Sequence, residues 1–361
     1  MLTAGFLYTC ALFLAGLAFG SFLNVCITRI PRDESVVRPG SHCRACGAPI
    51  RWWHNVPVLG FLVLRGRCRD CGSPISLRYP AVEVLTAVVF AACYPWFGLT
   101  WMTLKFCVFG FLLVGLIFMD AETGLLPHEF TYPGIVLGLA FAWVAPGDSS
   151  GTWLLLLLFQ KHVENVRALA LLDSAAGALV GAAFFYFAWA VYWLVRKRHG
   201  LGFGDVALIA MTGAFLGLKL NLVVLVCGPI LTLMYAIVLL IREAVRPRPT
   251  VPTDEGLAAS TVSTETLAHG REVVASAQPE SPQAAAPQQT ATMGDADAAP
   301  DYEEEPPFLQ RELPFGVFLG ICALGTIFFG EAAWAWYLGR FHSSVLAMVQ
   351  SYEGAHLRVR H

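Results

Sequence analysis

The stretch Gly200-Leu201-Gly202-Phe203-Gly204-Asp205 decides the fold through what flanks it: Arg196, Lys197 and Arg198 before, and Val206-Ala207-Leu208-Ile209-Ala210-Met211 after. Three consecutive positive side chains hold a helix end at the cytosolic face of a membrane. Asp205 then stands where the next helix enters lipid, a costly position for a carboxylate and one that marks function by default. The glycines before it let the backbone bend and another group come close. A second carboxylate, Asp120, closes the apolar run Phe106 to Met119 and so lies at a membrane boundary too. Two aspartates at the ends of membrane helices fit the chemistry of an aspartyl-type hydrolase.

Composition agrees with a membrane setting. Of 361 residues 56% are hydrophobic and 14% charged, against about 25% charged in soluble domains. Several apolar runs approach the roughly 20 residues that a bilayer helix needs. The fold class is therefore an all-α polytopic membrane protein in contact with membrane lipid. The net charge of −2 excludes little. No basic, aromatic-interleaved surface argues for nucleic acid.

Four of the ten cysteines form two CxxC pairs, Cys43/Cys46 and Cys68/Cys71, in a polar segment (28–79) with nine arginines and no lysine. A glycine follows each pair, Gly47 and Gly72, as in the tight turns of zinc knuckles. Four thiolates so spaced close a tetrahedral zinc site, which stabilises a segment too small to fold on apolar burial alone. The rival reading, disulfides or free thiols, is weakened because the arginines place the segment in the reducing cytosol. His42 and His54 are neighbours rather than ligands, since the cysteines complete the shell. Trp52-Trp53 and Val56 to Leu62 either rest at the lipid interface or form the small segment's core. The other six cysteines lie in or beside apolar runs and read as small buried hydrophobes.

The chain then divides as follows. Residues 1–27 form a first transmembrane helix; no positive charge precedes it, while Arg29 and Arg32 follow, which favours a retained helix over a signal peptide cleaved near Ala18-Phe19-Gly20. Residues 28–79 are the cytosolic four-cysteine zinc domain, and 80–245 the transmembrane core. Its spans fall near 80–97, 101–119, 130–145, 172–195, 205–218 and 221–241. Glu83, one turn into the first of these, faces the interior or pairs with an arginine. In the loop 146–171, Trp153 to Phe159 is too short to cross and lies in the interface. Residues 246–311, rich in Pro, Ala, Ser, Thr and Gln, form a disordered cytosolic insert. Residues 312–338 make the last of about eight helices, and 339–361 a polar tail. Under this topology 17 of the 24 Lys and Arg lie in the cytosolic segments 28–79, 196–204 and 242–312, obeying the positive-inside rule. It puts Asp120, Asp205 and the cysteine domain on one side.

Gly20-Ser-Phe-Leu-Asn-Val25, Arg38-Pro-Gly-Ser-His42 leading into the CxxC pairs, Asn55-Val-Pro57, Gly66-Arg-Cys68, Arg78-Tyr-Pro80 with Glu83, the segment after Asp120, and Gly202-Phe-Gly-Asp205 together resemble the bacterial type IV prepilin peptidases. These are bifunctional leader peptidase/N-methyltransferases of the GxGD aspartyl protease family, and the likeness covers residues 20–240 and 312–338. A lone GxGD is weak; with the cysteine segment in the right order it is specific. The resemblance implies catalytic Asp120 and Asp205, zinc on Cys43, Cys46, Cys68 and Cys71, and prepilin or pseudopilin substrates of a pilus or secretion system. It implies cleavage after a glycine on the cytosolic side of the bacterial inner membrane. Methylation of the new N-terminus from S-adenosylmethionine then follows. The residues holding that donor are not indicated. Two positions depart from the family pattern: His128, where aspartate is common, and Ala207, where lysine is common. The insert is also longer than such connections typically are.

Two other classes compete. A presenilin-like intramembrane protease shares GxGD, and a non-enzymatic scaffold would use the zinc segment for docking; pilin-like substrates encoded nearby, or cleavage of a substrate with a basic leader, discriminate. Mechanistically, two close carboxyls share one proton. Helix-dipole signs predict Asp205, at a helix start, as the resting base and Asp120, at a helix end, as the proton holder.

Overall fold

The computed structural model describes residues 2–147, 165–197, 202–245 and 314–358. Among them there is no β-strand, and the helices are α1 (Leu2–Arg29), α2 (Leu59–Val63), α3 (Arg78–Phe97), α4 (Trp101–Thr123), α5 (His128–Val144), α6 (Val166–Arg196), α7 (Phe203–Val245) and α8 (Phe315–Arg358). One unit, Met1–Val238 with Glu312–His361, contains everything discussed below; of the other, Leu239–Arg311, the end of α7 is described.

The most buried membrane helix is α4, which packs against α1, α3, α5 and α8. Its Phe109, Leu113, Leu116 and Met119 are core residues. Phe109 stacks on Phe215 of α7 with centroids 4.5 Å apart, worth about 0.5–1.5 kcal/mol beyond area burial. α1 and α3 meet through small residues, as lipid-immersed helices do: a side chain at Gly20 would meet the Glu83 Cα at 2.7 Å.

Among the described residues six helices are long and apolar enough to cross a membrane, against the eight spans expected. The difference lies at two places. α5 has 17 residues, about 25 Å of rise against a hydrocarbon core of about 30 Å. α7 is broken at Gly217 (φ 78°, ψ 178°). There the Asn221 amide reaches the Ile209 carbonyl at 3.4 Å and the Thr212 hydroxyl meets Asn221 Oδ1 at 2.7 Å. In a straight helix residues 209 and 221 would stand about 18 Å apart, so the chain folds back, and the expected spans 205–218 and 221–241 are its two arms.

Other boundaries moved. α6 starts at Val166 rather than 172, because the Asn165 side chain caps it by accepting from the Arg167 and Ala168 amides. α8 continues past 338 to Arg358, through a segment without proline. Glu83 is buried, as expected of a carboxylate that faces the interior, and it accepts from the Val58 N–H at 2.7 Å; its partner is a backbone amide, not an arginine. Trp52 and Trp53 are exposed, which removes the reading of these two as a small core. The interfacial reading of Trp153 to Phe159 and the reading of 246–311 as a disordered insert both fall outside the described residues.

Gly217 has positive φ, and a Cβ there would collide with the Asp173 carboxylate. Gly217→Val is expected to destabilise the protein by about 1–3 kcal/mol, read as a lowered unfolding midpoint in detergent. A variant melting with the wild type would show that the turn does not need glycine.

Candidate active site

Asp120 sits in the last turn of α4 and Asp205 in the first turn of α7; both are buried, at 7% and 8% exposure. Each element delivers its carboxylate to the same end of the bundle. Asp120 Oδ2 accepts the Val317 N–H at 2.8 Å, and the Gly316 N–H also donates to this carboxylate. These amides belong to the first turn of α8, where helical N–H groups have no partner of their own. Leu126, in the loop after α4, joins the two sides. A Cβ at Gly204 would lie 2.7 Å from it, and one at Gly316 would lie 2.9 Å from it and 3.0 Å from Asp120 Oδ2. Asp120 is close enough for its charge to act on Asp205. Aromatic rings flank the pair, with Phe185 against Phe315 and Trp189 against Phe203 at 5.6 and 5.0 Å.

A third helix end, that of α8, acts on the carboxylates besides those of α4 and α7. Asp120 ends one helix but receives the N-terminal amides of another, whose dipole favours a negative charge. Helix ends therefore do not assign the proton, and the pair is treated as one titrating unit. Neither departure from the family pattern replaces a carboxylate. His128 stacks on Tyr132 at the start of α5, and Ala207 is buried one turn into α7.

Sequence reasoning missed Gly316 and Val317 as partners of Asp120, 197 positions away; no local signal announces such a contact. It also missed the ion pair of Arg78 with Glu122, which ties the start of α3 to the end of α4.

The four cysteines converge. Their sulfur atoms all lie within 4.8 Å of one another, and Cys43 and Cys71 are 3.8 Å apart. Zinc–sulfur bonds of about 2.3 Å in a tetrahedron put sulfurs about 3.8 Å apart, so the cluster is compatible with zinc. Two matching turns build it: the carbonyls of Cys43 and Cys68 accept from the amides of Gly47 and Gly72, both glycines having φ of +72°. The Cys46 and Ala45 amides, then the Ser73 hydroxyl, draw the Cys43 thiol down to about 6, into the thiolate form a metal needs. His42 makes a hydrogen bond to the Gly40 carbonyl instead. Among residues 30–77 only Gly60 is buried, so no apolar core holds this segment.

Fold and site define a class: a polytopic membrane protein with paired buried carboxylates at one end and a four-cysteine module beside them. The chain belongs to the type IV leader peptidase family, which residues 106–237 match, with residues 14–97 matching the bacterial peptidase A24 N-terminal domain. Similar proteins carry the name prepilin leader peptidase/N-methyltransferase. That of Myxococcus xanthus is 42% identical over 212 residues, 59% of this chain and 57% of that protein, so the chain spans less than two thirds of that relative. Those of Neisseria gonorrhoeae and Klebsiella pneumoniae are 34% and 38% identical, covering 63% and 59% of this chain and 81% and 86% of theirs. No solved structure matches the chain.

Purified protein is expected to hold about one equivalent of zinc, lost in the Cys43→Ser, Cys46→Ser double variant together with protease resistance of residues 30–77. Elemental analysis and limited proteolysis check this. A metal-free segment that still resists protease would overturn it.

Proposed function

We propose that the chain cleaves the leader from type IV prepilins or pseudopilins after a glycine and then methylates the new N-terminus. Asp120 and Asp205 are the peptidase carboxyls. The observation that carries this is their convergence, buried, at the N-terminus of α8 in a chain of this family. One ionised carboxyl acts as general base on a water that attacks the scissile carbonyl carbon. The protonated one donates to the carbonyl oxygen. The tetrahedral intermediate then breaks the C–N bond, and the leaving amine takes the proton that the base removed from water. The α8 amides fix Asp120 before substrate arrives, which lowers the reorganisation the reaction needs. The aromatic rings beside the pair suit the apolar start of a pilin helix.

Zinc on Cys43, Cys46, Cys68 and Cys71 serves as a structural ion. S-adenosylmethionine, when bound, supplies a methyl group activated on a sulfonium. The bacterial inner membrane is the setting, with both sites facing the cytosol. The clustering of Lys and Arg in 28–79 and 196–204 supports that orientation.

Purified protein mixed with a synthetic substrate bearing a basic leader and a Gly-Phe junction should yield the shortened product by mass. Asp120→Asn and Asp205→Asn should each lower cleavage by about 10³-fold or more with zinc content unchanged. Gly316→Val, which crowds Asp120 Oδ2, should lower it by about 10- to 100-fold. Near-wild-type cleavage by either aspartate variant would remove that residue from the mechanism.

A further inference from the structure

The stretch 51–65 folds into a small knob with its apolar side outward. The turn Trp52–His54 packs on α2: the Gly60 N–H donates to the Val56 carbonyl at 2.8 Å, and a Cβ at Gly60 would overlap the His54 carbonyl. In α2, Leu59, Leu62 and Val63 stand three and four residues apart and so share one face. That face is exposed, Val63 by 73%, while Gly60 is buried and Phe61 and Leu64 are half-buried. Trp52 and Trp53, edge to face at 5.5 Å, are exposed as well. These five large apolar side chains lie outside the spanning helices. Uncovered apolar groups so gathered mark a surface that meets something else.

Depth and charge name the partner. Glu83 accepts the Val58 N–H at 2.7 Å, which pins the residue before α2 to α3. Glu83 stands five residues past Arg78, about 7.5 Å along the helix, and one headgroup region is about 5–8 Å thick. Its Cα also lies against Gly20 of α1, nine residues before Arg29 and so about 13 Å inside that end. On both helices the anchor of the knob therefore reaches the level where headgroups give way to hydrocarbon. Between Ser35 and Arg69 the sequence has six arginines and no acidic residue. Arg51 and Arg65 border the knob and are exposed, and the Arg51 guanidinium lies over the Trp53 ring at 5.4 Å. Tryptophan beside arginine suits a bilayer interface with anionic headgroups.

We propose that the knob docks into the bilayer that the chain spans. Trp52, Trp53, Leu59, Leu62 and Val63 enter the interface, and Arg51 and Arg65 bind the phosphates of anionic phospholipid. The cysteine module is thereby moored at the membrane surface by three attachments, the knob and the ends of α1 and α3.

The test uses the purified full chain in nanodiscs, with photoreactive benzoylphenylalanine in place of Leu62. Irradiation followed by mass analysis should find phospholipid attached at that position. Phosphatidylglycerol mixed into phosphatidylcholine should raise the yield by about twofold or more, and the Arg51→Gln, Arg65→Gln double variant should lose that rise. Fluorescence gives a second reading, free of the bulky probe. The emission that Trp52→Phe, Trp53→Phe removes should fall by about twofold or more with lipids brominated just below the headgroup, and should resist aqueous acrylamide. Should the probe at position 62 disturb folding, the fluorescence decides. An adduct to a second copy of the chain in place of lipid, or emission that acrylamide quenches and brominated lipid does not, overturns the docking. A yield equal in both lipid mixtures overturns the assignment of anionic phosphate to the arginines.

Discussion

The hydrogen bond from the Val317 N–H to Asp120 Oδ2, at 2.8 Å, is the contact on which the arrangement of the carboxylates depends. A buried carboxylate at a helix end has lost its hydration, and its own helix offers it only carbonyls. The first turn of α8 offers the reverse, amides without acceptors. Each end satisfies the other, which places α8 against α4. Gly316 makes the contact possible, since any Cβ there would press on the same oxygen. The last helix therefore belongs to the site although residues 246–313 separate it from α7.

The segment 30–77 is held by different physics. With only Gly60 buried, it lacks the apolar burial that would offset its conformational entropy. A structural zinc contributes about 10–16 kcal/mol in small cysteine modules, enough to supply what the core does not. A zinc bound there would have a second consequence. Cys43, Cys68 and Ser73 line a cavity of about 560 Å³, so a metal there would also shape that space.

How much of this was legible in the sequence follows from the range of each interaction. Charge next to an apolar run located the membrane helices, and the CxxC-Gly pattern foretold both turns, because these signals are local. The break at Gly217 was legible as a gap between two spans, although its fold-back rests on Asn221 and Thr212 contacts that periodicity does not encode. The donor to Asp120 was not legible, since it comes from a backbone amide, which every residue but proline carries. Glu83 was half legible for the same reason: a carboxylate inside a membrane helix points to the interior, where it is buried, but the sequence cannot show that Val58 supplies its partner from the main chain. Trp52 and Trp53 stayed ambiguous because interfacial and buried aromatics have the same composition.

The two proposed chemistries must act in sequence on one substrate end, since the amine to be methylated exists only after the leader is cut. That order asks for two sites on one membrane face, close enough to hand over a chain terminus. The structure ties the carboxylates to the end of the cysteine segment through an ion pair: Glu122, two residues past Asp120, holds Arg78 at the start of α3. Glu122 is exposed, so solvent screens the pair and its contribution is positional more than energetic. It ties the end of α4 to the start of α3, and so Asp120 to the end of the cysteine segment. A rigid spacing suits a substrate whose cut end moves from one site to the other while its helix stays in the lipid.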